Sequence, residues 1–178
     1  MTNDKIIKQQ ENSDDQIDVL VVVDAETLLA RYPDASHSPD SPIPIEGEFM
    51  HILTAGQGES LGRNDSQLHL DASLGDFVHI RGTTLALRGE HIALFYGITQ
   101  SNTRVMSPAT LVVRDNLNLP VPKADSPLQL DKQNAQDHFW RCQVLTHGIE
   151  LSELCFMIVD QNCAVQGYFR WNLEIRAS

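Results

Sequence analysis

An all-β fold, an antiparallel β-sandwich of jelly-roll type with one short helix, is what this chain of 178 residues predicts. Three observations carry the prediction. Two apolar runs, Ile17-Asp-Val-Leu-Val-Val-Val-Asp24 and Cys155-Phe-Met-Ile-Val-Asp160, lie near the two ends, each too apolar for a solvated edge and each stopping on an aspartate. Between them, short apolar segments follow one another at intervals marked by turn residues. Almost nothing carries the 3.6-residue period of a helix.

Taken in order, residues 1–16 are polar and acidic, with only Ile6 and Ile7 to bury, and are read as a disordered tail. The domain then runs over 17–178. Val19 to Val23 is the β-branched pattern of a strand covered on both faces, and each buried Val or Leu contributes roughly 1.5–3 kcal/mol. Ala25 to Arg31 is the helical candidate, pinned by Leu28 and Leu29 and stopped by Pro33. Tyr32 to Ile45 holds four prolines among Asp and Ser, which makes a long loop. Strands are expected at Phe49–Thr54, Gln67–Asp71, Phe77–Arg81, Thr84–Leu87, Ile92–Ile98 and Ala109–Arg114. In Asp76 to Arg81 the alternation sends Val78 and Ile80 inward and His79 and Arg81 outward. A second proline-rich connection, Leu119 to Pro127, precedes strands at Phe139–Thr146, Ile149–Asp160 and Ala164–Ile175. The last two should form a hairpin about Asp160-Gln-Asn-Cys163.

Charge and composition exclude several function classes. A formal net charge of -11, with the arginines scattered, argues against nucleic acid or an anionic membrane as partner. No apolar run reaches the about 18–20 residues that span a bilayer. Met1 to Gln16 has no basic start, apolar stretch or cleavage site of a secretory signal, so a cytoplasmic location is expected. Cys142, Cys155 and Cys163 show no C-x-x-C spacing, as reduced thiols would, although Cys155 and Cys163 could face each other across the final hairpin.

Four motifs are weighed against plainer readings. Gly58-Glu-Ser-Leu-Gly62 has the letters of a nucleophile elbow, but polar Arg63 to Gln67 follows where a helix should start, so Ser60 reads as part of a glycine loop. His69, His79 and His91 fall on successive strands but lack the H-x-H and following Glu of a jelly-roll metal site; they are expected on the solvated face, with no metal and no cofactor. Asp160-x-Asn162 and Asp24-x-Glu26 lack the further ligands of a calcium loop, and both aspartates read as caps. The aromatic concentration is Trp140, Tyr168, Phe169 and Trp171. Its plain reading is core filling by Trp140, Phe169 and Trp171. Its sharper reading is a shallow sugar-binding surface of Asp160, Tyr168, Arg170, Trp171 and Asn172, with a ring stacked on sugar C–H groups and polar neighbours on the hydroxyls.

With Ile17 to Asp24 leading into Leu28 to Pro33, Gly75-Asp76 and Pro108 each preceding a strand, Phe139-Trp140, and Phe156 to Asp160 leading into Gly167 to Trp171, the chain resembles the bacterial inclusion-body family typified by PixA and AidA. The likeness spans Ile17 to Ile175. It implies a small β-sandwich protein that accumulates in bacteria, in some relatives as crystalline intracellular inclusions, with no catalytic residues. Two departures stand out: Cys163 where the family turn commonly has glycine, and Trp171-Asn-Leu173 where Trp-Asp-Pro is more frequent. The expectation is therefore a non-enzymatic, homo-oligomeric protein assembling through sheet edges or proline loops. A lectin-like carbohydrate-binding module is the alternative.

Overall fold

The computed structural model describes residues 16–55, 58–60, 66–86 and 89–178. Among these described residues, eleven strands and one helix follow in the order β1 (Gln16–Val23), α1 (Ala25–Arg31), β2 (Ile43–Ile45), β3 (Met50–Ala55), β4 (Gly58–Ser60), β5 (Gln67–Leu70), β6 (Phe77–Thr84), β7 (His91–Gln100), β8 (Thr110–Lys123), β9 (Ser126–Gln143), β10 (Gly148–Asp160) and β11 (Val165–Ala177), with a 3-10 turn at Gly47–Phe49. One sheet runs β3-β1-β6-β9-β8 and the other β4-β5-β11-β10-β7, with β2 also on β11. The all-β prediction holds, yet neither sheet is wholly antiparallel. β1 pairs parallel with β6, and β11 pairs parallel with both β2 and β5.

The two apolar runs face each other across one core and do not pair edge to edge. From β1 come Val19, Val21 and Val23; from β10, Leu154, Phe156 and Ile158; from β11, Phe169, Trp171, Leu173 and Ile175. Period two explains the selection, since these positions alternate with outward residues on every strand. Helix α1 forms where expected: Asp24 Oδ1 accepts from the Thr27 N–H at 3.2 Å, and buried Leu28 fixes the helix to the core.

Three expectations change. Phe77–Arg81 and the start of Thr84–Leu87 form the single strand β6, which ends at Thr84; Leu87 lies outside the described residues. The first proline loop contains a short strand, β2, with Pro44 between Ile43 and Ile45. The second proline segment is not a connection. Pro120 and Pro122 stand inside β8, opposite Lys132 and Leu130 of β9. This is tolerated because β8 is the edge strand of its sheet, where an outward-facing proline nitrogen removes no ladder donor. The expected tail lies outside the described residues, apart from Gln16.

Candidate functional site

On β11 the chain separates the predicted binding residues onto opposite faces. Tyr168, Arg170 and Asn172 point outward, while Phe169 and Trp171 point into the core. Trp171 is 2% exposed, and its indole N–H donates to Ser66 Oγ at 2.9 Å. No face of that ring is open to a ligand, so the core-filling reading accounts for Trp171. Phe169 stacks on Phe156 with centroids 5.6 Å apart, continuing the same interior.

The outward residues already have partners within the chain. Tyr168 meets Tyr96 edge to face, with centroids 5.7 Å apart. Burial, with smaller contributions from Cys155, pushes the Tyr96 hydroxyl up to about 12, and that hydroxyl donates to the Pro39 carbonyl at 3.2 Å. Arg170 Nη1 pairs with Glu153 Oε2 at 2.9 Å. Asn172 lies opposite Glu153 in the ladder and lines an open cleft of about 370 Å³ with Thr99, Gln100, Ser101, Leu151 and Glu153.

Asp160 belongs to the turn. Its Oδ1 accepts from the Asn162 N–H at 2.8 Å and the Ala164 N–H at 2.9 Å. The hydrogen bond from Ala164 is the first of several that hold its carboxyl below the usual aspartate range. This capping is the role expected of a turn aspartate and leaves no ligand loop. Directly after it, Cys163 takes a positive φ of 60°, the left-handed conformation that costs an L-residue roughly 1–2 kcal/mol. That strain explains physically why glycine would suit the position.

The other motifs do not converge. Gly58 to Ser60 form β4, antiparallel to β5, not the strand-to-helix turn in a parallel sheet that an elbow requires. Leu61 and Gly62 lie outside the described residues. His69 is on β5 and His91 on β7, at different sides of the second sheet, while His79 is on β6 of the first. Contrary to expectation, His79 is buried, at 1% exposure. It faces outward from its sheet, but the Phe139 ring lies 4.2 Å from its own and Asp18 Oδ1 lies 3.8 Å from Nδ1. Among the described residues no three His, Cys, Asp or Glu side chains gather as a metal site. All three cysteines are free. Cys155 stands opposite Arg170 and not Cys163, so the hairpin does not bring the two thiols face to face.

Two features escaped the sequence reading. Arg81 on β6 bridges β1 and β9, binding Asp18 at 2.6 Å and Asp137 at 3.0 Å. Glu150 on β10 is fully buried, with Oε1 accepting from Ser101 Oγ at 3.0 Å and the Asn102 N–H at 3.1 Å. The signal for Glu150 was available in its register: it shares parity with Leu154, Phe156 and Ile158, so it must point where they point.

No helix among the described residues is long and apolar enough to cross a membrane. Residues 15–177 match the family model described as PixA: Inclusion body protein. No curated protein matches the chain. Among solved structures, the chain is similar to the crystal structure of an inclusion body protein (PixA) from Burkholderia cenocepacia, with 24% identity, 95% of this chain and 99% of that chain covered, and a TM-score of 0.77. At that identity the likeness carries the fold alone.

Proposed function

Because the chain belongs to the PixA inclusion body protein family, we propose that it is a non-enzymatic bacterial protein that accumulates in the cell, in inclusion bodies, by associating with copies of itself. The observation that carries this reading is the open edge of the first sheet. Beside it stand large apolar side chains in solvent: Leu111 at 50% exposure, Val113 at 55%, Leu130 at 63% and Leu128 at 98%. Clusters of this kind on a soluble chain mark contact surfaces. Homotypic contact is the kind that can build a body from one component. The net charge of -11 opposes it, so association should tighten as salt screens the carboxylates. Sedimentation velocity over a wide concentration range, at low and high salt, is expected to show concentration-dependent oligomers favoured by salt. Electron microscopy of producing cells is expected to show dense bodies containing the protein. A monomer under every condition would overturn the reading.

A sugar-binding surface is the second reading. What favours it is the outward Tyr96–Tyr168 pair together with Asn172 in the neighbouring cleft. Tyrosine supplies a ring face and the carboxamide supplies both donor and acceptor for hydroxyls. A glycan array followed by titration, with and without calcium, is expected to show saturable binding that Asn172→Ala abolishes. No binding in either condition would remove this reading.

A further inference from the structure

The first sheet outruns the second. Beyond the root of β8 and β9 the two strands continue alone as a hairpin arm, paired from Leu117 opposite Ala135 to Lys123 opposite Ser126. At about 3.4 Å per residue those pairs give a ribbon roughly 20 Å long. No residue from 114 to 138 is buried. The arm's side-chain bonds run within it: Asn134 to Asn116 at 3.2 Å, Gln136 to Asp115 at 2.8 Å, and Lys123 to Asp131 at 3.5 Å. A two-stranded hairpin standing by itself is marginal in water, so this one needs cover.

Its pattern says what kind. Paired residues share a face in an antiparallel ladder, which puts Pro120, Pro122 and Leu130 on one side and Leu117, Leu119 and Val121 on the other, while Leu128 follows in the irregular stretch next to the turn. The first side continues the inner face of the sheet, the one carrying Leu111 and Val113 at the arm's root. There, where the second sheet ends at β7, lies an apolar groove of about 420 Å³ lined by Leu94, Tyr96, Leu111, Val113 and Met157 among others. Residues 110–136 hold three acidic side chains, Asp115, Asp125 and Asp131, and three basic ones, Arg114, Lys123 and Lys132. The arm therefore carries none of the net -11, so two copies of this acidic chain approach each other over it without the repulsion of the rest of the molecule.

We infer that the β8–β9 arm clasps a second copy of this chain, its Leu128–Leu130 tip lying in the groove at the root of the partner's arm and the partner's tip in its own. A two-fold arrangement repeats one contact twice and covers both patches. The contact is made through faces, because Pro120 and Pro122 give the outer edge of β8 no donors for strand addition there.

This inference rests on the reading that the chain self-associates, and the test separates the two. The full chain is compared with a tip variant, Leu128→Asp with Leu130→Asp, and a groove variant, Val113→Asp, by sedimentation equilibrium. All three substituted side chains are solvent-exposed, and thermal melts at high dilution check that the variants fold alike. Each variant alone is expected to dimerise about 100-fold or more weakly than the parent. An equimolar mixture of the two is expected to associate more tightly than either, since the heterodimer restores one intact tip-in-groove contact. Parent-like association by the variants overturns the arm contact while leaving self-association standing. Weak variants that show no recovery on mixing overturn the tip-in-groove pairing. A parent chain that stays monomeric overturns both.

Discussion

Trp171→Ala is expected to remove about 3–5 kcal/mol of folding stability, the cost typical of excising a buried large aromatic. The ring is enclosed between the sheets, on a strand flanked by β10 on one side and β2 on the other at this point. Its loss leaves a cavity and also strips Ser66 Oγ of its indole donor. Against a total of about 5–15 kcal/mol for an ordinary domain, this change alone brings the chain near unfolding. Equilibrium denaturation reads the effect as a lower midpoint at unchanged slope. Trp171→Phe keeps most of the buried area and should recover much of the loss. A wild-type midpoint for Trp171→Ala would mean that the ring is not in the core and would return it to consideration as a stacking platform.

Glu150→Ala is expected to cost about 1–3 kcal/mol, because the Asn102 N–H and the Ser101 hydroxyl lose their acceptor, at roughly 0.5–1.5 kcal/mol each. The carboxylate anchors the segment just after β7 to β10. Its neighbourhood is dry enough that burial, and after it the Glu150 charge, pushes the Cys142 thiol up to about 12. Glu150→Gln retains an acceptor oxygen and should lose less. Thermal melts order the three proteins, and hydrogen exchange at the Asn102 amide should accelerate in Glu150→Ala. An unchanged exchange rate would show that the carboxylate does not hold that segment.

Strands whose identity depends on their own residues were legible from sequence: the aliphatic run of β1, the alternation of β10 and β11, and helix α1 between Asp24 and Pro33. What depends on neighbours was not. Pro120 and Pro122 look like a connection until β8 is known to be an edge, and only topology supplies that fact. The outward and inward sets on β11 follow from period two, so the split between Tyr168 and Trp171 was readable once a direction was chosen. His79 was assigned its face correctly but not its burial, because the Phe139 ring that covers it comes from β9, far along the chain. Glu150 illustrates the converse: Ile149 and Leu151 look like core residues, yet both are exposed, because the stronger apolar set at Leu154 to Ile158 fixes the register for the whole strand.

The parallel pairings impose an order on events during synthesis. β2 and β5 are made early, and although β5 has β4 on one side, both join the second sheet only through β11, so over a hundred positions separate them from the strand that receives them. Topologies rich in such distant pairings fold slowly. Until Val165–Ala177 leaves the ribosome, the second sheet lacks a central member and the apolar faces of β1, β5 and β10 remain wet. The second sheet thus waits on the last strand to be made, and until that strand docks the chain exposes the kind of apolar surface that makes incomplete folds prone to aggregate.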